Sequence, residues 1–314
     1  GKNTSDTGTA VTIGNSQYNN KYWDPTYVGY KYNEKFSLHE NNGTTGYNWF
    51  TNTQKYNYGT GYSFDESTKK FTLTGDIQQL TWKDNHDEIV KNNLYSCLNT
   101  SCNVVYKVTG YQNETTMTVQ PISYSSDSYA DAVTNTTNSS IKTTLDTWYK
   151  NNMTAYTSYL ADTTFCNDRS VTSGSGYLTT PTTYGAYGRL LSRRAPSLKC
   201  AQNNDKFTLT NESAKLDYPV SLITADEASM AGGVVGVANS NYYLYNGQYT
   251  WTLSPSDFSS NYSNAYVWSV TPSGGLNHWN GVTNSFGVRP VVNLKADTLI
   301  TKGDGTSLNP YVVK

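Results

Sequence analysis

Alternation of apolar and polar residues at a period of two is the feature that most limits what this chain can become. It recurs in Tyr62-Ser-Phe64, Phe71-Thr-Leu73, Val104 to Val108 and Thr116 to Val119 of the first half. The second half adds strand-like runs in Tyr242 to Tyr245, Trp251-Thr-Leu253, Ala265 to Val270, Gly287 to Leu294 and Tyr311 to Val313. These runs are rich in β-branched and aromatic residues and are bounded by turn formers such as Asp65 to Thr68 and Gln112-Asn-Glu114, a pattern that predicts antiparallel hairpins. Helical spacing is confined to two places. Ile141, Leu145, Trp148 and Met153 recur behind an Asn138-Ser-Ser140 start, and Thr224-Ala-Asp-Glu227 forms a capping box with Gly232-Gly233 as its stop.

The expected fold class is therefore α+β and β-rich, with one amphipathic helix and one short capped helix. Two domains are expected: a Tyr/Asn-rich β module over residues 1–124 and a second domain over 125–314. The opening stretch to about Phe50 has aromatic density without a period, and is expected to lie against something larger.

Charge narrows the function classes. The chain has 23 basic and 24 acidic residues among 314, and its 28 tyrosines sit in a background of Asn, Ser and Thr. A disordered chain would be more charged and less aromatic, so the polar bias reads as the coat of a folded body. Beyond Arg189, Arg193 and Arg194, read as a solvated or salt-bridged loop, no basic block exists, and no nucleic-acid partner is expected. No apolar run approaches membrane-spanning length, and Lys2 to Thr9 is polar, so neither a transmembrane helix, nor membrane contact by this segment, nor a signal peptide is expected.

Four cysteines, Cys97, Cys102, Cys166 and Cys200, suit disulfides in an extracellular or cell-surface setting. Three pairings are possible. Cys97 with Cys102 and Cys166 with Cys200 is favoured, because the short spacer between the first two can turn tightly. Zinc is the rival, but the spacing has no second CxxC and no adjacent His.

Catalytic signatures are sparse. His39, His86 and His278 are the whole supply of imidazole. His86 lies in Lys83-Asp-Asn-His-Asp-Glu88, which reads as a solvated turn or first helical turn. No Walker loop, GxGxxG, GxSxG or HExxH occurs. Asp226 and Glu227 could serve glycoside hydrolysis, but Thr224 and Glu227 read first as a cap, with Arg289 as an internal ion-pair partner. Gly303-Asp-Gly-Thr306 reads as a turn between the two terminal strands. No catalysis, cofactor or metal is expected.

What remains is a recognition surface. Tyr262, Tyr266, Trp268, Asn277, His278, Trp279, Asn280, Asn284 and Phe286 are interleaved with Ser and Gly, an alphabet that combines large rigid contact area with adaptable hydrogen bonding. Parity puts Tyr266 and Trp268 on one face, opposite Ala265 and Val267, and either face could be core. The Asn277 to Asn284 stretch reads as an exposed loop.

Five motifs in fixed order resemble a family of uncharacterised Firmicutes surface proteins. They are Tyr218-Pro-Val-Ser-Leu-Ile-Thr-Ala-Asp-Glu227, Trp251-Thr-Leu-Ser-Pro255, Ala265 to Val270, Gly287-Val-Arg-Pro-Val-Val292, and Gly303-Asp-Gly-Thr before Asn309-Pro-Tyr-Val-Val313. Upstream, Ile141 to Asp146 with Trp148-Tyr-Lys, Phe165-Cys-Asn-Asp-Arg169 and Pro196-Ser-Leu-Lys-Cys200 extend the likeness. The resemblance implies a C-type lectin-like C-terminal domain of the formylglycine-generating-enzyme type, and a prepilin-like, pilus-associated setting. Trp279-Asn-Gly281 lacks the carboxylate of a calcium-dependent sugar site. No cysteine follows Cys200, so the reactive pair of the formylglycine-generating enzymes has no counterpart. The leading expectation is a non-catalytic adhesin-like or pilus-associated protein that binds a protein or glycan. A self-assembling filament or surface-layer subunit is the alternative, and an enzyme of the formylglycine-generating type comes third.

Overall fold

The computed structural model describes residues 12–22, 24–33, 128–177, 180–242, 245–262, 264–304, 309 and 311–313. Between these it describes 48–50, 55–57, 62–65, 67–68, 70–73, 95–97, 105–113 and 116–122. The fold is mixed, mostly strand, with 30% strand and 22% helix. It divides into residues 1–34 with 128–314, and residues 35–127.

The inserted unit is a seven-stranded antiparallel sheet ordered 55–57, 48–50, 95–97, 105–113, 116–122, 70–73 and 62–65. The hairpins 62–73 and 105–122 are those the alternation predicts; the pairing of 48–50 with 55–57 and the strand 95–97 were not expected. Asp65 closes the first, its carboxylate accepting from Ser67 and Thr68 N–H groups. Cys102 lies outside the described residues, as do His39 and the Lys83–Glu88 segment.

The division corrects the expected boundary at 124. Residues 1–34 belong with the C-terminal unit because their apolar groups are spent there. Tyr18, Tyr27, Val28 and Tyr30 are buried in its main core. Lys31–Tyr32 pairs with Thr137–Asn138, and Ser139 Oγ donates to the Tyr30 carbonyl at 2.7 Å.

The main sheet of this unit contains β1 (Asn15–Gln17), β2 (Val171–Ser173), β3 (Thr182–Tyr184), β4 (Thr250–Ser259), β5 (Asn264–Val270), β6 (Leu276–Gly281) and β7 (Ser285–Gly287). One edge of β4 takes β5; the other takes β7 at its start and β3 near its end. β6 continues outward from β5, and β1 pairs with β7. Helix α1 (Ser140–Asn152) starts where expected, with Ser139 Oγ accepting from the Lys142 N–H. Ile141, Leu145 and Tyr149 form its fully buried stripe, and Trp148 packs alongside. Lys142 is also fully buried, its ammonium paired with Asp146 and, at 3.0 Å, with Asp217.

Core faces both sides of β5. Ala265 and Val267 enter the main cluster with Trp251 and Leu253, while Trp268 and Val270 enter a second cluster with Leu276, Ala225 and Ala228. Either parity was open from the sequence, and both faces are used.

Three expected elements differ. Tyr242 lies in a turn closed by Tyr245 N–H to the Tyr242 carbonyl, and residues 243–244 are outside the described set. The strand expected over Gly287 to Leu294 stops at Gly287; beyond it only isolated bridges occur, Ser221 with Val291 and Leu160 with Leu294. Pro290, lacking an N–H, cannot continue a ladder. Residues 276–281, expected as loop, are strand β6.

The Phe165 to Arg169 motif is structural. Asn167 accepts from Tyr30 N–H at 2.9 Å and donates to the Leu253 carbonyl at 2.7 Å, joining distant segments inside the core. Arg169 is buried against Asp205 at 2.7 Å and donates to the carbonyls of Lys31, Val133 and Asn204. Cys166 and Cys200 are bonded.

Candidate functional site

The expected recognition residues divide by depth. Tyr262 and Trp279 are 71% and 64% exposed, whereas Trp268 is sealed in the second core cluster and His278 and Asn280 retain 8% each. Asn280 Nδ2 donates to Ser269 Oγ at 2.6 Å. Asn277 is half-buried and works locally, its Oδ1 accepting from the Trp279 N–H at 2.8 Å. Asn284 is exposed in the turn after β6. Phe286 stacks on Tyr249 and packs against Trp251, in a separate aromatic group. Trp268, Asn280 and Phe286 are thus corrected from contact residues to packing residues. Their strand positions face neighbours, which composition does not reveal.

His278 and Trp279 are linked to Tyr266 through two residues the sequence reading missed, Tyr187 beside His278 and Asp257 between Tyr187 and Tyr266. Tyr187 ends a single helical turn, Gly185–Tyr187, and its ring meets His278 edge-on at 5.1 Å. His278 is 5.4 Å from the Trp268 ring and 5.3 Å from that of Trp279. Asp257 on β4 lies opposite Tyr266 on β5, so the two side chains share a face. The charge of Asp257 acts on both Tyr187 and Tyr266, adding to the burial that raises their hydroxyls. Tyr262 is close enough to Tyr266 to add to the same shift.

Two register irregularities build this shelf. On β6, Asn280 pairs with Val267 and Asn277 with Ser269, so His278 and Trp279 together face the single Trp268. That is a bulge, and it re-aims a side chain as bulges commonly do. On β4, Pro255 pairs with Val267 while Asp257 pairs with Tyr266. In regular register Asp257 would oppose Ala265, on the main-core face. The extra residue, Ser256, follows Pro255, which has no N–H for the ladder, and it turns the carboxylate to the aromatic face instead.

Electrostatics follow from that placement. The Trp279 indole N–H donates to His278 Nε2, which holds the exposed ring in place. Burial lowers the His278 pKa to about 4, keeping the imidazole neutral and its Nε2 free to accept. Burial raises the Asp257 carboxyl to about 6, and its hydrogen-bond partner is Ser256 Oγ at 2.7 Å. No cation opposes Asp257 among the described residues.

A concavity of about 540 Å³ opens beside the Cys166–Cys200 bond, with Asp168, Arg189, Asp226 and Glu227 in its wall. Arg189 is shared there by two carboxylates. Arg189 reaches Asp226 through two bonds of 2.8 and 2.9 Å and Asp168 through one of 2.7 Å. Asp226 also accepts from Ser197 N–H at 2.9 Å. The partner of Asp226 is thus Arg189, which corrects the expected pairing with Arg289; the π-helical stretch Gly188–Arg193 carries Arg189 there. Gly185 makes the approach possible, since a Cβ there would stand 2.5 Å from Asp168 Oδ2. The capping box is present as read: Thr224 Oγ1 accepts from Glu227 N–H, and Glu227 accepts from Thr224 N–H at 2.7 Å, at the start of α2 (Ala225–Met230). Both acids proposed for hydrolysis are engaged in structural bonds.

Compared with known proteins, the chain matches no family model, no curated protein and no solved structure.

Proposed function

We propose that this chain is a non-catalytic extracellular binding protein, adhesin-like or pilus-associated, whose C-terminal unit is C-type lectin-like and binds through the shelf around Trp279. One observation carries the reading: a large exposed aromatic, Trp279, is locked by a buried neutral imidazole beside Tyr187, Tyr262 and Tyr266. A rigid, pre-positioned aromatic contributes contact area with little further loss of freedom on binding. The Cys166–Cys200 disulfide is compatible with an oxidising compartment.

The test is an array of glycans and surface proteins probed with the whole chain and with Trp279→Ala and Tyr262→Ala variants. Both substitutions are at exposed positions, so folding survives. We expect each variant to lose at least about tenfold in affinity for the partner, as hot-spot aromatics do. Equal capture by all three proteins overturns the site.

A second reading, a self-assembling structural subunit, is favoured by the terminal hairpin Ile300–Lys302 with Val312–Val313, which leaves Ile300, Val312 and Val313 exposed. Filaments in negative-stain images that vanish in Ile300→Lys would support it; a monomer at all concentrations would end it.

A further inference from the structure

This inference rests on the binding reading and specifies its ligand. We propose that the shelf receives a lysine side chain of a partner protein, with the ammonium at Asp257 and the aliphatic stem along the Tyr187 and Tyr266 rings.

Asp257 stands on a face otherwise aromatic, opposite Tyr266 and near Tyr187, and its bond to Ser256 Oγ occupies Oδ1. Three buried acids elsewhere in this unit have cations: Asp205 has Arg169, and Asp168 and Asp226 share Arg189. A desolvated carboxylate without a cation is costly, and a ligand that supplies the cation recovers that cost. Aromatic faces reinforce the choice of charge, since ring quadrupoles attract cations and the phenol and indole faces are the stronger attractors.

Depth selects lysine among cations. Asp257 is half-buried, while Trp279 and Tyr262 are largely exposed. A compact ammonium on a slender four-carbon stem can reach inward past those rings. The planar guanidinium of arginine and the ring-borne amine of an amino sugar are broader at the charged end. His278 does not compete for the acid, because it is neutral and its Nε2 is occupied by Trp279.

The experiment is saturation-transfer NMR on the whole chain at pH 7.5, with Nα-acetyl-lysine N-methylamide as probe. Nα-acetyl-norleucine N-methylamide, the arginine analogue and glucosamine are the comparators. We expect saturation of the lysine side-chain protons, at least tenfold weaker binding of each comparator, and at least tenfold weaker lysine binding by Asp257→Asn. That substitution removes an unpaired buried charge, so the variant folds, and its thermal melt confirms it. Lysine binding no tighter than norleucine, unchanged binding by Asp257→Asn, or preference for arginine or glucosamine overturns the proposal. If Trp279-dependent capture persists on the array while Asp257→Asn leaves lysine binding intact, this inference fails and the binding reading stands. If the array reveals no Trp279-dependent partner, the binding reading itself fails.

Discussion

Around Arg189, two carboxylates share one guanidinium at 2.7 to 2.9 Å, and the arrangement closes on itself. Around Tyr266, a third carboxylate, half-buried, has a neighbouring hydroxyl and aromatic rings, and nothing of opposite charge among the described residues. Both lie in the same unit, yet they stand in opposite relations to stability. The Arg189 group ties α2 to the segments bearing Asp168 and Ser197, whereas Asp257 is tolerated against the folded state's interest. On the proposed binding reading, a ligand's cation would relieve that cost, whereas the Arg189 group needs nothing from outside.

Breaking the Arg189 side of the comparison should have the largest effect. Arg189→Met leaves Asp168 and Asp226 buried without a cation, and we expect a loss of about 3–5 kcal/mol in urea unfolding. Opening the neighbouring disulfide with Cys166→Ser and Cys200→Ser releases a loop spanning 34 positions, and should cost about 3–4 kcal/mol in the same assay.

The Asp257 side should respond with the opposite sign. Its folded pKa, about 6, lies above the unfolded value of 3.8, so the native state holds its proton longer and stability is lost as pH rises between the two. Asp257→Asn should therefore stabilise the chain at pH 7 by about 1–2 kcal/mol, with the gain vanishing below pH 3.8. His278 works the other way, since its folded pKa of about 4 is depressed below 6.5 and stability falls as pH drops through that window. Protonation also removes the acceptor for the Trp279 indole, so a fluorescence change should centre near pH 4 and be absent in Trp279→Phe. At the small end, Thr224→Ala deletes one arm of a capping box and should cost about 1 kcal/mol.

Local signals were legible where the physics is local. The Ser139 start of α1, the Ile141 and Leu145 stripe and the Thr224–Glu227 box depend on neighbours within a few positions, and each is where the pattern put it. Period-two alternation likewise located the hairpins of residues 62–73 and 105–122, and an aromatic and β-branched run located β5. The shelf was only half legible. Tyr262, Tyr266, His278 and Trp279 were named, but Asp257 and Tyr187 were not, because their proximity is set by two bulges and a helical turn far along the chain. Parity counting assumes regular register, and a single inserted residue reverses it. Pro255 inside an otherwise strand-like run was the available hint that β4 would break step. Arg189 was displaced in favour of Arg289 for a related reason: ion pairing across tens of residues leaves no local trace.

The antiparallel clasp of Lys31–Tyr32 on Thr137–Asn138 brings together the two points where the chain departs for residues 35–127 and returns. Departure and return are thereby anchored within one unit, so a short glycine–serine splice, or an unrelated insert with adjacent termini, could replace residues 35–127 while that unit keeps its own sheet and helices.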